Sequence, residues 1–202
     1  GDVVTILSAN VPEALISFYA LNKIGAIVYM VNATHEKNAI REELLDSDAK
    51  ILLINDIFYD KEWKSFTDEF GFTNVVAASL DESFPIAFYG DKVKFKIIKA
   101  VKKIGNACNI DKKCIRWNEI IKIGEKSKIN VIPYYKEKCG MMISSTSGST
   151  GKPKRPLLTN ENINSMPIQM GMSCDTFAPN DSILTSLPIW IIYTLFNSIH
   201  EP

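Results

Sequence analysis

Short apolar runs and amphipathic segments alternate along the first eighty residues. The segments between the runs place apolar residues at helical spacing. An alternation of strand and helix predicts βαβ units, so we expect an α/β fold whose layered sheet is largely parallel, with helices on both faces. The four apolar runs predicted to be buried strands are Asp2 to Ser8, Ala26 to Val31, Lys50 to Asn55, and Thr73 to Ser79.

The first predicted helix has recognisable ends. Asn10 is expected to cap it, and Pro12 would occupy its first turn, where a missing N–H costs nothing. Gly25 stands where a glycine commonly ends a helix. These residues are expected to serve the scaffold.

A connection between residues 81 and 138 has a less regular pattern. Lysines and apolar residues alternate from Lys92 to Ile104, with a spacing that drifts from two towards helical. One interpretation is a basic amphipathic segment that lies on an anionic membrane. The other, which we favour, is a solvated helix face with an apolar underside.

Hydroxyls, glycines and lysines concentrate between Ser144 and Lys154, directly after the apolar run Met141-Met142-Ile143. Gly148 and Gly151 would let backbone N–H groups converge on an anion. The hydroxyl and ammonium groups add donors and charge. This is the chemistry of a phosphate-binding loop, and an ordinary flexible Ser/Gly-rich turn is the alternative.

The loop is not a Walker A motif, because Thr146 and Pro153 stand where that motif requires a glycine and a Ser or Thr. It resembles instead the AMP-binding signature of the adenylate-forming enzymes, which include acyl-CoA synthetases, the adenylation domains of peptide synthetases, and luciferases. That signature is an apolar residue, two free positions, and then Ser/Thr-Ser/Thr-Gly-Ser/Thr-Thr-Gly-x-Pro-Lys. Ile143 to Lys154 matches it at every position.

Further parts of the chain resemble the N-terminal portion of the same enzymes. They are Gly1 to Val4, Asn10 to Glu13, Gly25-Ala26, Asn32 to Thr34, and the short helix expected at Trp117 to Ile121.

The resemblance implies that residues 1–202 form an incomplete N-terminal AMP-binding domain, part of the large N-terminal domain of an adenylate-forming enzyme. Residues 1–80 would supply βαβ units, and residues 81–138 would be a variable connection. The phosphate-loop hairpin, with the helix and strand that follow it, would occupy residues 139–202.

The activity implied by this resemblance is that of an AMP-forming acid–thiol ligase of the acyl-CoA synthetase type. Its substrates would be ATP with Mg²⁺, a small-molecule carboxylate, and coenzyme A as the thiol. Two alternatives stay open. One is an amino-acid-activating adenylation domain, whose acceptor would be a carrier-protein thiol, and the other is a non-catalytic nucleotide-binding fragment.

By the same resemblance, the loop would lie on the pyrophosphate side of ATP. Lys154 is the expected catalytic cation. Lys152 occupies the variable position of the signature, where a merely solvated charge is the alternative. No metal-binding residue is assigned within the chain. The residues expected to bind the nucleotide are Thr146, Ser147, Gly148, Ser149, Thr150, Gly151 and Lys152.

Three positions after the loop depart from the family pattern. Arg155 replaces a usual glycine. Pro156 follows it and cannot donate to a strand ladder, so its strand is expected to lie at an edge or to be locally unpaired. Asn160 replaces a usual histidine and is expected to cap the next helix.

The last segment resembles a strand that ends in Leu187-Pro188 near the acyl pocket. Ile191 stands where the family often has a histidine, beside Trp190. An apolar acyl group and simple core packing both explain these two side chains. If the sheet is truncated, the stretch from Leu187 to Phe196 should expose apolar surface and favour self-association.

Composition excludes several classes of protein. The net charge is zero, so bulk electrostatics do not point to nucleic acid. No apolar run is long enough to cross a bilayer, and no secretory signal is visible. The four cysteines show no metal-ligand spacing, which predicts reduced thiols in a cytoplasmic protein. They are Cys108, Cys114, Cys139 and Cys174.

Both ends of the chain predict that it is incomplete. Gly1 is not a methionine, and the chain ends at Pro202 within an apolar segment. A cut protein and a part of a longer chain both explain this. The resemblance implies that the adenine and ribose contacts, the Mg²⁺ carboxylate, and the lysine of a mobile C-terminal domain follow Pro202. We therefore expect that the 202-residue chain alone does not complete adenylation.

Overall fold

Strands and helices alternate along the part of the chain that the computed structural model describes, which is residues 1–45, 47–83, 85, 88–146, 154–173 and 182–200. The four strands predicted in the first eighty residues are confirmed, each to within one residue at either end. The strands are Val3–Leu7 (β1), Ile27–Met30 (β2), Ile51–Asn55 (β3), Asn74–Ala78 (β4), Cys114–Arg116 (β5), Gly140–Ser144 (β6) and Leu157–Thr159 (β7). The helices are Pro12–Lys23 (α1), Lys37–Leu44 (α2), Lys61–Glu69 (α3), Tyr89–Lys102 (α4), Asn106–Ile110 (α5), Trp117–Lys126 (α6), Asn160–Ser173 (α7) and Ile192–Leu195 (α8), followed by a π-helical turn at Phe196–His200.

One sheet contains all seven strands of the described ranges, in the order β5-β4-β3-β1-β2-β6-β7. Neighbouring strands are parallel except β6 and β7, which are antiparallel. The predicted α/β class with a largely parallel sheet is therefore confirmed. The chain first moves from β1 to β2 and then crosses back to β3 on the other side of β1. Ligands of such sheets bind at the carboxyl ends of the strands, where the order reverses.

The sheet separates two apolar cores. Successive side chains of a strand point to opposite faces. In β3, Leu52 and Ile54 enter one core, and Leu53 enters the other. Helices α2, α3 and α5 cover the first face, while α1, α7 and α8 cover the second, with α6 packed at its margin. The predicted helices on both faces are thus present.

Two predicted helix caps are wrong. Helix α1 has Val11 at its N-cap, without a side-chain hydrogen bond, and Pro12 at its first position. The side chain of Asn10 instead binds a segment near the C-terminus. Helix α7 begins at Asn160, one residue after Thr159, whose hydroxyl accepts from the backbone N–H of Asn162 at 3.2 Å. Thr159 is therefore the cap, because its side chain satisfies an N–H that the helix leaves free.

A disulfide joins Cys108 in α5 to Cys114 in β5. The prediction of reduced thiols is wrong for this pair. The two cysteines lie six residues apart, on a tight connection that brings their Cα atoms to 5.2 Å. Cys139 is free, and Cys174 lies outside the described residues.

The lysine-rich segment forms helix α4, as the favoured interpretation requires. Its expected apolar underside, packed on the protein, is wrong. None of its side chains is buried. The residues that turn towards the protein are Lys92, Phe95 and Lys99, which are only partly buried. The short helix expected at Trp117 to Ile121 is confirmed as the first half of α6.

Candidate functional site

A β-hairpin holds the two ends of the predicted phosphate loop. β6 leads into the loop and β7 leaves it, and the two strands pair antiparallel. The backbone N–H of Thr146 donates to the carbonyl of Lys154 at 2.8 Å, and the N–H of Lys154 donates to the Thr146 hydroxyl at 3.3 Å. Two residues near the opposite ends of the loop are therefore tied together. β7 is the edge strand beyond β6 and starts only after Pro156, as predicted.

Of the predicted site residues, the structure brings Thr146 and Lys154 together. Both are exposed, so the Lys154 ammonium group is accessible to an anion from solvent. The other predicted binding residues lie outside the described residues, and they are Ser147, Gly148, Ser149, Thr150, Gly151 and Lys152.

A buried hydrogen-bond network lies directly beneath the start of the loop. Tyr29 of β2 is fully buried, and its hydroxyl donates to Glu43 Oε1 of α2 at 3.0 Å. The Ser145 hydroxyl donates to the same carboxylate oxygen and lies 3.2 Å from the Tyr29 hydroxyl. Burial raises the pKa of Tyr29 far above its usual value, so this phenol keeps its proton and remains a donor. Glu43 thereby holds Ser145, the residue before Thr146, in place.

The same helix also holds the other end of the loop. Arg155 Nη2 donates to the backbone carbonyl of Glu42 at 3.2 Å. The last four carbonyls of a helix lack partners within it, so an arginine there satisfies a group that would otherwise need water. Arg155, which departs from the family's usual glycine, thus has a structural role. The carboxyl end of α2 contacts both ends of the loop.

Tyr29 and Glu43 are not among the residues predicted for the site. In the sequence, Tyr29 stands in an apolar run typical of a buried strand, and Glu43 stands in a polar helical segment. A signal was present, because a tyrosine inside a strand covered on both faces needs a partner for its hydroxyl. The partner itself was not predictable, because Tyr29 and Ser145 are separated by 116 positions and meet only through the pairing of β2 with β6.

A second segment approaches the same edge of the sheet. The Asn10 side chain donates to the carbonyl of Leu187 at 2.8 Å and accepts from the N–H of Ile189 at 2.9 Å. The resemblance implied a strand that ends at Leu187-Pro188. Within the described residues this prediction is wrong, because residues 182–188 form no regular secondary structure. The Asn10 amide thus binds backbone groups of Leu187 and Ile189, as a neighbouring strand would in a sheet. This segment borders a groove of about 610 Å³.

The apolar stretch at the end of the described chain is only partly exposed. Leu195 and Phe196 are buried, which contradicts the expected exposure of that part, and Trp190 packs against the second core. Leu187 and Tyr193 remain 48% and 62% exposed. Self-association through this surface stays a prediction.

None of the helices in the described ranges has the length and apolar character needed to cross a membrane. Within the same ranges, no group of three or more histidine, cysteine or acidic side chains is arranged to hold a metal ion.

Residues 1–199 match the family model of the AMP-binding enzymes. This chain belongs to that family. The match includes the hairpin, the loop and both cores, so the resemblance found in the loop signature extends over nearly the whole chain.

Among curated members related to this AMP-binding chain, 4-coumarate–CoA ligase 4 of Arabidopsis thaliana is 26% identical over 198 residues, covering 96% of this chain and 30% of the relative. Acetyl-coenzyme A synthetase of Vibrio cholerae is 30% identical over 162 residues, covering 79% of this chain and 22% of the relative. The chain therefore spans less than a third of the length of these relatives.

Solved structures of similar fold include ATP-bound MatB from Rhodopseudomonas palustris, with a TM-score of 0.67 and 19% identity, over 97% of this chain and 32% of MatB. Another is the O-succinylbenzoate coenzyme A synthetase MenE from Bacillus subtilis in complex with AMP, with a TM-score of 0.61 and 20% identity, over 96% of this chain and 39% of MenE. At these identities the likeness supports the fold of the AMP-binding chain.

Proposed function

We propose that the complete protein is an AMP-forming acid–thiol ligase of the acyl-CoA synthetase type. The observation that carries the proposal is the phosphate-loop signature on a hairpin whose ends are tied at Thr146 and Lys154. The names of the relatives add support, since they are coenzyme A ligases and synthetases. ATP binding is further supported by the ATP-bound structural neighbour.

In the proposed first step, a carboxylate oxygen of the acid attacks the α-phosphorus of ATP. The bond from that phosphorus to the bridging oxygen breaks, and pyrophosphate leaves with the electron pair. Both substrates are anions, so their approach needs compensating positive charge. The loop N–H groups, its hydroxyls and the Lys154 ammonium would supply that charge at the pyrophosphate.

In the proposed second step, a thiol sulfur attacks the acyl carbon of the adenylate. The bond from that carbon to the AMP oxygen breaks, AMP leaves, and the thiol proton passes to solvent. We propose coenzyme A as the thiol. Mg²⁺ would neutralise phosphate charge when bound, but the described residues offer no cluster that fits it, so we assign no residue of this chain to the metal.

Two other functions are distinguishable by substrate. An amino-acid-activating domain would adenylate amino acids, and a non-catalytic fragment would bind nucleotide without turnover. A cytoplasmic location stays a prediction, and the Cys108–Cys114 bond counts against it.

The test is carboxylate-dependent ATP–pyrophosphate exchange by the complete protein, measured with a panel of aliphatic, aromatic and amino acids. Exchange with non-amino acids, followed by thioester formation with coenzyme A, is the expected result. Lys154→Ala should lower kcat/KM about a hundredfold, because a cation at the leaving group is lost. Lys122→Ala, which removes an exposed lysine of α6, is the matched control.

Equal turnover in Lys154→Ala and the unaltered protein would remove this lysine from the mechanism. Nucleotide binding without exchange for any acid would favour the non-catalytic alternative. The 202-residue chain by itself is expected to show no exchange.

A further inference from the structure

Helix α4 presents its lysines and its apolar residues on unexpected sides. Lys92, Phe95 and Lys99 follow helical spacing and face the protein. Lys99 Nζ lies 2.5 Å from Asp56 Oδ2 and 2.5 Å from the Ser79 hydroxyl, and Asp56 is buried. The helix is therefore attached to the sheet through a charged side chain, whereas a helix of a globular protein usually packs through its apolar face.

The opposite side of α4 carries an apolar stripe that no described residue covers. Val93, Ile97 and Val101 are spaced four residues apart, and they are 39%, 59% and 78% exposed. Tyr89 and Ile98 border the stripe and are 68% and 46% exposed. Exposed apolar side chains that adjoin one another on one helix mark an interaction surface.

Positive charge surrounds this stripe. Lys94, Lys96, Lys102 and Lys103 are exposed on α4 and at its end. Asp91 is the one acidic residue between residues 89 and 103, and it pairs with Lys94 at 3.4 Å. An apolar stripe edged by lysines complements a surface that is negatively charged outside and apolar just beneath.

We propose that α4 binds an anionic lipid surface. Its fourteen residues would lie in the plane of the headgroups, with Val93, Ile97 and Val101 inserted and the exposed lysines against lipid phosphates. The ion pair of Lys99 with Asp56 holds the helix on the protein in this orientation.

The position of α4 is compatible with catalysis at a membrane. The helix belongs to the crossover from β4 to β5, and β5 is the edge strand at the opposite end of the sheet from β7. Lipid bound there would leave the Thr146–Lys154 loop accessible. The proposal does not depend on the reaction that the loop supports.

The experiment is co-sedimentation of the complete protein with vesicles. One set contains phosphatidylcholine with phosphatidylglycerol, and the other contains phosphatidylcholine alone. We expect binding to the anionic set only, weakened by added salt. Ile97→Asp should lower the partition coefficient roughly tenfold or more, because a charge replaces an inserted apolar side chain. The double variant Lys94→Glu and Lys96→Glu should lower it comparably.

Ile123→Asp is the matched control, because Ile123 on α6 is 63% exposed and lies outside the stripe. It should bind like the unaltered protein, and circular dichroism should show equal folding for all variants. Absence of binding to both vesicle sets would overturn the proposal, as would equal binding of Ile97→Asp. A self-associated protein that Ile97→Asp converts to monomer, without vesicle binding, would assign the stripe to a second copy instead.

Discussion

Two buried acids near the carboxyl edge of the sheet have contrasting partners. Glu43 lies beneath the start of the loop and accepts from two hydroxyls, those of Tyr29 and Ser145, while Nδ1 of the exposed His35 lies 3.7 Å from its other carboxylate oxygen. Asp56, just after β3, lies between two cations. Its Oδ2 is 2.5 Å from Lys99 Nζ and 3.4 Å from Arg116 Nη1.

The two acids also hold different parts of the protein in place. Hydroxyls on a strand and on a loop end give Glu43 a directional hydrogen-bond network close to the candidate site. Cations on long side chains let Asp56 attach α4 and β5, which belong to the connection. We infer that Glu43 determines loop geometry, whereas Asp56 determines the stability of the connection. Substitutions at Glu43 and Asp56 separate these two roles.

The largest effect is expected for Asp56→Ala. Removing this buried carboxylate leaves Arg116 without its acidic partner and Lys99 with Asp81 alone, 3.4 Å away, so the free energy of unfolding should fall by about 3 kcal/mol. Urea denaturation followed by circular dichroism measures this. Asp91→Ala, which removes an exposed acid of α4, should cost far less. The comparison breaks down if Asp56→Ala keeps full stability but raises the KM for ATP.

A smaller loss of stability, about 2 kcal/mol, is expected for Glu43→Ala, because the buried Tyr29 hydroxyl and the partly buried Ser145 hydroxyl lose the carboxylate that accepts from both. The KM for ATP should also rise by about fivefold, since the start of the loop is less well positioned. Pyrophosphate exchange by the complete protein gives the KM. Glu42→Ala is a close control, because only the backbone carbonyl of Glu42 binds Arg155 and its side chain is exposed. Identical KM values for both variants would contradict the role of Glu43.

The smallest effect concerns pH. Burial raises the pKa of Asp81, but the hydrogen bond from Ser79 and the charge of Lys99 outweigh it and hold this pKa below its usual value. A lowered pKa in the folded state adds stability above the unfolded pKa, and that stability is lost as pH falls through the folded value. Asp81→Asn should therefore flatten the stability curve below about pH 4. Denaturation at several pH values tests this, with the exposed Asp2→Asn as control. A curve as steep as that of the unaltered protein would argue against this contribution of Asp81.

Much of the fold was predictable because its signals are local. Strands β1 to β4 are short apolar runs between helical segments, and a parallel sheet covered on both faces needs such runs. The loop signature is equally local, since one continuous stretch carries its glycines, hydroxyls and Lys154. Its role in binding phosphate stays a prediction. Pro156 also indicated correctly that its strand lies at an edge.

The errors concern side chains whose partners are distant in the chain. Asn10 looks like a cap in its local sequence, yet its partners are Leu187 and Ile189. The lysines of α4 resemble a solvated face until Asp56 is placed opposite Lys99. In each case a polar side chain binds a partner that is distant in the sequence, whereas the local sequence predicts a neighbouring partner or solvent.

The pairing of β2 with β6 has a consequence for the order in which the protein folds during its synthesis. Strands β1 and β2 are joined by one helix and can pair as soon as both have left the ribosome. Tyr29, in contrast, cannot contact Ser145 until that residue is translated, 116 positions later. Closing so long a segment is entropically costly, so this contact is expected to form later than the pairing of β1 with β2. A nascent chain would thus already contain strands β1 to β5 before Ser145 can join Tyr29 and Glu43 beneath the loop.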